Sequence, residues 1–378
     1  MSTKYDVFAK IIEKAPCKSK DLGFAKPVYA HIDLLVRENW VRKTKGVLVP
    51  IKNEKTIKIF KIISWSLKNN IDYNIFFSEN VGKILKVISE TSPVLNPKEL
   101  AGNKTNNEII DFFEENQFIL SWKRKPKNGT LLNHSIFELV IGKKVKERFL
   151  LFNEINDKVL SLAREELNPF DKKVFEFLAG SAQLEGSTVS IGETVDLILK
   201  SIYPDKSAED IQMVKNLNAA LTYVFENVGE ELTLEHLKEI NKICLFSLHK
   251  GAGMFKKTQN KILGNPDFKT TLPSQVVSEL EKFCDVFNKI KTREECLEKL
   301  GFIHNQHQRI HPFVDGNSRT TRLLVNWLLM KHGFPILILK VGSFEKYMGL
   351  TKLSGKRDDL LLRNFMLHVI YHEEILKD

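Results

Sequence analysis

The chain has 378 residues, 43% of them hydrophobic and 28% charged, which is typical of a soluble globular protein. This length predicts two or three domains rather than one small core. No apolar run approaches the roughly 20 residues of a membrane span, and the N-terminus lacks the apolar core of a signal peptide. We therefore expect a cytoplasmic protein without a membrane partner. Four cysteines without a C-x-x-C pair predict reduced thiols and no zinc site.

The net charge of +10 is unevenly distributed along the chain. Residues 1–150 contain 27 Lys and Arg against 16 Asp and Glu, a net +11, whereas the remaining residues contain 30 against 31, a net −1. A basic N-terminal part indicates contact with a polyanion such as nucleic acid. A solvated lysine-rich surface is the alternative.

The N-terminal elements follow the order of a winged helix-turn-helix. Residues 6–15 have apolar positions at helical spacing, and a short helix follows, capped by Ser19 and ended by Gly23. Residues 27–39 predict a third, amphipathic helix, and residues 40–51 predict two short strands around a Lys-Gly turn. We assign residues 1–58 to one winged-helix-like module.

The same order recurs 78 residues later, which indicates a second winged-helix-like module over residues 59–140. If residues 1–140 bind double-stranded DNA, the third helix of a module enters the major groove and its wing contacts phosphates. Protein binding or homodimerisation is the alternative. The predicted parts of the second module are a helix at 81–91, a short helix at 97–100 capped by Asn96, a third helix at 106–119 and a wing at 120–132.

The rest of the chain is predominantly helical by its apolar spacing, and Ser190 with Glu193 makes a capping box. We therefore predict a mainly α fold: an all-helical core at 141–378 with a small β-hairpin flap, preceded by one or two α+β modules. The hairpin is predicted between residues 259 and 275. The predicted helices cover residues 145–167, 171–186, 193–203, 232–249, 278–290, 293–310 and 318–333.

The stretch HPFVDGNSRTTR, residues 311–322, joins a turn to a strongly helical run. Gly316-Asn317 is a turn sequence, and unpaired N–H groups at the start of the helix, together with the helix dipole, form an anion site. Arg319 and Arg322 lie three residues apart and share one face of the first helical turn. Two guanidiniums and an amide nest suit a polyphosphate better than a single carboxylate.

Two further side chains of this stretch bring reactive groups to the anion site. Asp315 offers a hard oxygen ligand where Mg²⁺ would be expected beside phosphates. His311, with an ordinary pKa of about 6.5, can accept a proton at neutral pH. A hydroxyl between His311 and a bound phosphate would be deprotonated as it attacks phosphorus. The stretch therefore predicts Mg²⁺-assisted transfer from a nucleotide to a hydroxyl.

Residues 311–322 closely resemble the signature of Fic-domain proteins, H-P-F-x-[D/E]-G-N-[G/K]-R-x-x-R, and the likeness extends over about residues 145–370. The resemblance implies a protein adenylyltransferase, which transfers AMP from ATP to a Ser, Thr or Tyr hydroxyl of a protein and releases pyrophosphate. The resemblance implies that His311 is the general base and that Asp315 is the Mg²⁺ ligand. It also implies that Gly316 and Asn317 form the anion hole for the α-phosphate. Arg319 would contact the distal phosphates, and Arg322 would contact the γ-phosphate.

A second resemblance lies upstream, in SAQLEG at residues 181–186. Ser181, Glu185 and Gly186 match the family's inhibitory motif, [S/T]-x-x-x-E-[G/N], in a helix predicted near 173–186. The resemblance implies that Glu185 pairs with Arg322 and so keeps that guanidinium from the γ-phosphate. A plain surface glutamate is the alternative, as is a Glu185 that positions water for removal of AMP from modified targets.

Two further segments resemble parts of the family's fold. The family's flap holds the target by strand addition and aligns its hydroxyl with His311. Tyr347 resembles a residue of the later helix near the nucleotide base. The flap is assigned here to Asn260, Lys261, Ile262, Leu263 and Gly264.

Ser318, in the nucleotide-binding set, occupies a position where the family usually has Gly or Lys. Members with Lys there transfer phosphate itself, so the uncharged Ser318 favours AMP as the transferred group. The rival function is a DNA-binding transcriptional regulator, or a toxin–antitoxin-type protein, whose Fic domain senses nucleotide. A de-AMPylating Fic enzyme is a further alternative.

Overall fold

The structure is a computed structural model that describes residues 2–26, 28–262 and 264–377. Over these residues the fold is mainly helical with two small antiparallel sheets, as the sequence predicts. The chain divides into two compact units, Met1–Val87 with Ser135–Lys144 and Ile88–His134 with Val145–Asp378.

The described helices and strands before residue 144 are, in chain order, α1 (Lys4–Lys14), β1 (Cys17–Lys18), α2 (Tyr29–Arg37), β2 (Val41–Thr44), β3 (Val47–Pro50), α3 (Glu54–Lys68), α4 (Glu79–Thr91), α5 (Lys104–Glu115), β4 (Ile119–Arg124), β5 (Lys127–Leu131) and α6 (Ser135–Ile141). Those that follow are α7 (Phe152–Leu160), α8 (Lys172–Gln183), α9 (Ile191–Lys200), α10 (Ala208–Glu226), α11 (Leu234–Cys244), α12 (Val276–Lys289), α13 (Arg293–Ile310), α14 (Asn317–Lys331), α15 (Val341–Leu350) and α16 (Asp359–Ile375).

The first unit has the predicted order of helix, short helix, helix and hairpin. The short helix is a 3-10 turn, Ser19–Leu22, ended by Gly23 in the left-handed conformation (φ 75°). Ser19 is its first residue, so the predicted cap is one position off. The β2–β3 hairpin turns at Lys45 and Gly46, both with positive φ. The sheet has one further strand, β1, which pairs with β3 and was not predicted. A strand of two residues is too short to show the alternation of apolar and polar residues by which strands are recognised.

The predicted second module is divided between the two units. α4 crosses the boundary between them, whereas α5, β4 and β5 lie in the second unit. The boundaries predicted at 58/59 and 140/141 therefore differ from those of the compact units. The short helix predicted at 97–100 is only a turn, in which Pro97 O accepts hydrogen bonds from Leu100 N and Ala101 N. The assignment of these segments to winged-helix modules stays a prediction.

The β4–β5 hairpin is held against α16 by neutral histidines. His372 Nδ1 accepts a hydrogen bond from Ser121 N, and its Nε2 donates to Glu114 O, both at 2.9 Å. His368 Nε2 accepts from Leu150 N at 3.1 Å. Burial lowers the pKa of His368 to about 4 and also lowers the pKa of His372. Both rings are therefore uncharged at neutral pH, as an accepting ring nitrogen requires.

Glycines allow close helix packing around α13 and α8 in the second unit. A Cβ on Gly301 would lie 2.0 Å from Asp359 O, and one on Gly180 would lie 2.1 Å from Leu339 O. Any side chain at either position would force the backbones apart. The approach at Gly180 fixes the position of α8, which bears the predicted inhibitory motif.

In the second unit, the predicted helix over 145–167 needs correction and two helices were missed. The helix predicted over 145–167 is helical only in α7, because the segment before it bonds outside any helix: Val145 N donates to Asn133 Oδ1 and Arg148 N to Thr130 Oγ1. α10 and α16 were not predicted at all. The Ser190–Glu193 capping box of α9 is confirmed by both of its hydrogen bonds.

Among the helices of the described residues, none is both long enough and apolar enough to cross a membrane. The four cysteines are buried free thiols, Cys17, Cys244, Cys284 and Cys296.

Candidate active site

The residues between α13 and α14, 311–316, form a tight loop that we call the motif loop. It begins at His311 (φ 47°), which ends α13, and finishes at Gly316 (φ 75°), which precedes α14. The Asn317 side chain accepts a hydrogen bond from Phe313 N and donates to Phe313 O, both at 2.9 Å. Asn317 thus closes the loop on itself. Because Gly316 has no capping side chain, the first N–H groups of α14 keep the polarity that binds an anion.

Arg319 faces this helix start with unused hydrogen-bonding capacity. The residue is only 5% exposed, and its Nε has no hydrogen-bond partner among the described residues. Its Nη2 lies 3.3 Å from Asp315 Oδ2. A buried guanidinium N–H without a partner is costly, and a bound anion would offset that cost. The geometry therefore fits the predicted phosphate contact.

Asp315 fits the predicted Mg²⁺ ligand. Its side chain is 55% exposed at the motif loop, so the carboxylate is accessible. Mg²⁺ is usually held by one or two carboxylates together with substrate phosphates. In the part of the chain that the structure describes, no group of three or more His, Cys, Asp or Glu could hold a metal ion. A Mg²⁺ ion beside Asp315 would take its other ligands from water and from the oxygens of a bound phosphate.

Arg322 is bound by the predicted inhibitory motif. Its Nε donates to Ser181 Oγ at 2.8 Å, and its Nη2 donates to Ser181 O at 3.0 Å and to Glu185 Oε1 at 2.8 Å. Burial would raise the pKa of Glu185, but Arg322 and then Arg319 bring it below its ordinary value. Glu185 is therefore charged at neutral pH and forms a largely buried ion pair with Arg322.

Glu185 lies in the turn after α8, not inside a helix that extends to 186 as predicted. The helix ends at Gln183, and Glu185 N donates to Ala182 O. Gly186 follows with a φ of 99°, a conformation that favours glycine. The inhibitory motif is thus a helix end with its glycine turn.

His311 is buried and neutral. Its Nδ1 lies 3.3 Å from Gln308 O, which can only accept, so Nδ1 carries the proton and Nε2 is the accepting nitrogen. Burial, and next the positive charge of Lys256, lower the pKa of His311 to about 4. The ring can therefore accept a proton at neutral pH.

Lys256 supports the motif loop; the stretch Gly253–Lys256 resembles part of the family's flap, but no role was predicted for Lys256 itself. Its backbone N donates to Pro312 O at 2.8 Å, and its buried Nζ lies 3.1 Å from both Ile310 O and Thr270 Oγ1. Burial lowers the pKa of Lys256 to about 8. Its partners are backbone carbonyls and a hydroxyl rather than acids, so pattern and spacing could not have found it.

The flap residues lie beside the motif loop, but the β-hairpin predicted between residues 259 and 275 is not formed by the described residues of that range. The two arms bond other segments: Lys256 N reaches Pro312 O, and Thr271 N reaches Arg309 O. Those amides are unavailable for pairing with each other, which a hairpin requires.

Of the predicted flap residues, Asn260 contacts the motif loop directly, because its Nδ2 donates to Phe313 O at 2.8 Å. Ile262 is buried, Lys261 is exposed, and Gly264 has a φ of 83°. Leu263 lies outside the described residues.

Tyr347 lies in the core. Its hydroxyl is 2.7 Å from His304 Nε2, and burial raises its pKa to about 12 although the nearby Arg322 opposes the shift. Contact with a nucleotide base stays a prediction. Ser318, partly exposed in the first turn of α14, likewise stays a predicted nucleotide contact.

The structure thus places His311, Arg319 and Arg322 at one loop-to-helix junction of a mainly helical fold. A family model described as the Fic/DOC family matches residues 231–329, which include all of α11, α12 and α13. The chain therefore contains a Fic domain, and the resemblance of residues 311–322 is confirmed.

Curated relatives and solved structures agree with this assignment. The chain is 29% identical to protein adenylyltransferase fic-1 of Caenorhabditis elegans over 208 residues, which cover 53% of this chain and 40% of the relative. It is 31% identical to protein adenylyltransferase Fic of Nematostella vectensis over 207 residues, 52% of this chain and 47% of the relative. The match thus spans less than half the length of either relative. A Fic-domain-containing signalling protein from Bacteroides thetaiotaomicron shares the fold (TM-score 0.50, 23% identity, 60% of this chain and 95% of that one).

Proposed function

We propose that this chain is a protein adenylyltransferase that transfers AMP from ATP to a Ser, Thr or Tyr hydroxyl of a protein and releases pyrophosphate. One observation carries the proposal: a neutral buried imidazole, His311, shares one loop-to-helix junction with an uncapped helix start and the buried guanidiniums of Arg319 and Arg322. The two curated relatives, both named protein adenylyltransferases, support the same activity.

In the proposed reaction, the chain's own residues position the triphosphate and move one proton. The N–H groups at Gly316 and Asn317 hold the α-phosphate, and Arg319 contacts the distal phosphates. The target oxygen bonds to the α-phosphorus, its proton passes to His311 Nε2, and the bond to the bridging oxygen of the β-phosphate breaks. When bound, Mg²⁺ held by Asp315 would neutralise charge on the phosphates. Asn260, bonded to the motif loop, starts the segment that would hold the target.

The inhibitory part of the proposal rests on the ion pair between Glu185 and Arg322. Arg322 is the guanidinium proposed for the γ-phosphate, and its Nη2 is already bonded to Glu185. While Arg322 Nη2 donates to the Glu185 carboxylate, it cannot make an equally strong hydrogen bond to a phosphate. Glu185 therefore restrains productive ATP binding in the resting chain.

The position of a radioactive label in ATP tests which group is transferred. We expect protein labelling from ATP labelled at the α-phosphorus and none from ATP labelled at the γ-phosphorus, because AMP carries only the α-phosphorus. Autoradiography of the purified Glu185→Gly chain, in which the proposed restraint is removed, with a panel of proteins gives the readout, and intact mass should rise by one AMP per modified site. Labelling from the γ-position alone would replace AMP transfer by phosphate transfer, and labelling from neither position would remove the proposed function.

DNA binding by the first unit is a second candidate, and the distribution of charge favours it. This unit contains 19 Lys and Arg against 9 Asp and Glu, a net +10, whereas the second unit contains 38 of each. Its wing exposes Arg42, Lys43 and Lys45. By contrast, the second hairpin's Lys127 is neutralised by Asp111 and Glu114. We therefore restrict the DNA proposal to the first unit.

Binding of the full chain to a short duplex, measured by fluorescence anisotropy at 50, 100 and 200 mM salt, tests this candidate. We expect the affinity to fall steeply with salt and the variant Arg42→Ser/Lys45→Ser to bind at least about 5-fold more weakly, since each lost phosphate contact removes released counterions. Lys83→Ser, which removes an exposed lysine of α4, is the matched control. Binding that is insensitive to salt, or equal loss in the control, would rule out the wing as a DNA contact.

A further inference from the structure

Asn241, on α11, connects three segments of the candidate site, and sequence analysis did not single it out. The side chain is fully buried. Its Nδ2 donates to Asp315 O at 2.9 Å and lies 3.3 Å from Thr320 Oγ1, while its Oδ1 accepts from Gly253 N at 3.0 Å. One amide thus joins the motif loop, the first turn of α14 and the segment that leads into the flap.

The contacts determine the orientation of the amide without ambiguity. Asp315 O can only accept a hydrogen bond and Gly253 N can only donate one, so Nδ2 must face the motif loop and Oδ1 must face the flap segment. A Cβ on Gly316 would lie 2.9 Å from Asn241 Nδ2, so the amide packs directly against the glycine of the anion site. A side chain that lacks either the donor or the acceptor would leave a buried backbone group unpaired.

These contacts orient the N–H groups that are proposed to bind the phosphate. In a planar trans peptide, the carbonyl and the N–H point in opposite directions, so a fixed Asp315 O also fixes the direction of Gly316 N–H. Thr320 Oγ1, which Asn241 touches, donates in turn to Gly316 O at 3.0 Å and so fixes Asn317 N–H in the same way. Asn241 thus supports two successive N–H groups of the anion site, Gly316 N–H through Asp315 O and Asn317 N–H through Thr320, whose backbone N also donates to Gly316 O.

We propose that Asn241 is a positioning residue, which sets the direction of the anion-binding N–H groups and ties the flap segment to the same point. It does not touch the reacting atoms. The expected effect of Asn241 on AMP transfer rests on the proposed adenylyltransferase function. Its expected effect on the order of the motif loop and of the flap segment does not. A polar side chain on the buried face of α11, next to Ile240 and three residues before Cys244, is the sequence signal that could have indicated it.

The test compares Asn241→Leu with a matched control, Asn216→Leu, both in the Glu185→Gly chain. Asn216, on α10, is also a buried amide, but it donates to Cys244 O and Phe246 O and has no hydrogen bond to the motif loop. Hydrogen exchange, measured on peptides over 251–256 and 312–321, reports the protection of the Gly253 and Thr320 amides. This measurement does not require an active enzyme. We expect Asn241→Leu to raise exchange in both peptides by about 10-fold and to lower the transfer rate by about 100-fold. The control should leave both within about 3-fold.

Asn241→Asp separates the two arms of the contact and serves if Asn241→Leu does not fold. The carboxylate keeps an acceptor for Gly253 N but loses the donor to Asp315 O. We expect peptide 251–256 to stay protected while peptide 312–321 exchanges faster and transfer falls. Unchanged protection of 312–321 in a folded Asn241 variant, or equal loss of transfer in Asn216→Leu, would overturn the proposal. If the Glu185→Gly chain transfers nothing, the proposed function fails, but the exchange results still decide the role of Asn241.

Discussion

Replacement of Glu185 by glycine should raise labelling with AMP by about 10- to 100-fold at the same ATP concentration. A charge-assisted hydrogen bond is worth about 1.5–3 kcal/mol, and its removal frees Arg322 for the γ-phosphate. Initial rates with ATP labelled at the α-phosphorus give the measurement, for the chain alone and with a mixture of candidate target proteins.

Two further variants show whether charge or helix integrity causes the increase. Glu185→Gln keeps the shape and one acceptor oxygen but removes the charge, so its rate should lie between those of the parent chain and Glu185→Gly. Glu176→Gln breaks a different ion pair of α8, with Lys340 at 3.5 Å, and should leave the rate unchanged. Equal rates for the parent and Glu185→Gly would end the inhibitory interpretation, and activation by Glu176→Gln would attribute it to a loosened α8.

His311→Ala in the Glu185→Gly chain should lower transfer by about 1,000-fold while nucleotide binding changes by less than about 3-fold. General bases contribute about 10²–10⁴-fold to rates, and the imidazole is proposed to contact the target hydroxyl rather than the phosphates. Single-turnover rates and calorimetric titration with ATP separate the two effects. His249→Ala, at an exposed histidine, is the control and should retain full activity.

The pH dependence provides a second criterion for His311. Because burial and Lys256 lower its pKa to about 4, the neutral, accepting form persists as the pH falls from 8 to about 5 and is lost only as the pH approaches 4. A rate that stays level between pH 8 and about 5 would agree with the lowered pKa of His311, whereas transfer that survives in His311→Ala would be inconsistent with His311 as the base.

Local sequence signals predicted the parts of the site that depend on local backbone geometry. Gly316 was expected at a turn into a helix and has the positive φ that such a turn requires. Ser190 and Glu193 were expected to cap α9 and do so. The pairing of Glu185 with Arg322 spans 137 residues, and only the family resemblance indicated it before the structure did.

The unpredicted features depend on tertiary contacts that no short window of sequence contains. Lys256 and Asn241 act through bonds to the backbone carbonyls of Ile310 and Asp315, which have no residue-specific signature. The segment 145–151 has helical spacing, yet Asn133 and Thr130 accept its amides, so contacts with the hairpin region override local preference. The expected flap hairpin failed for the same reason, since the amides of Lys256 and Thr271 are bonded elsewhere.

Ser181 accepts two hydrogen bonds from Arg322, one at its hydroxyl and one at its carbonyl. Neither bond involves Glu185, so we expect both to remain when Glu185 is removed or moves away. The released guanidinium therefore does not revert to a freely rotating side chain, and the rotamer entropy of a long arginine, up to about 2 kcal/mol, need not be lost again when ATP arrives. The same short motif that blocks Arg322 thus also keeps it preorganised, so that relief of inhibition yields a binding site that is already in place.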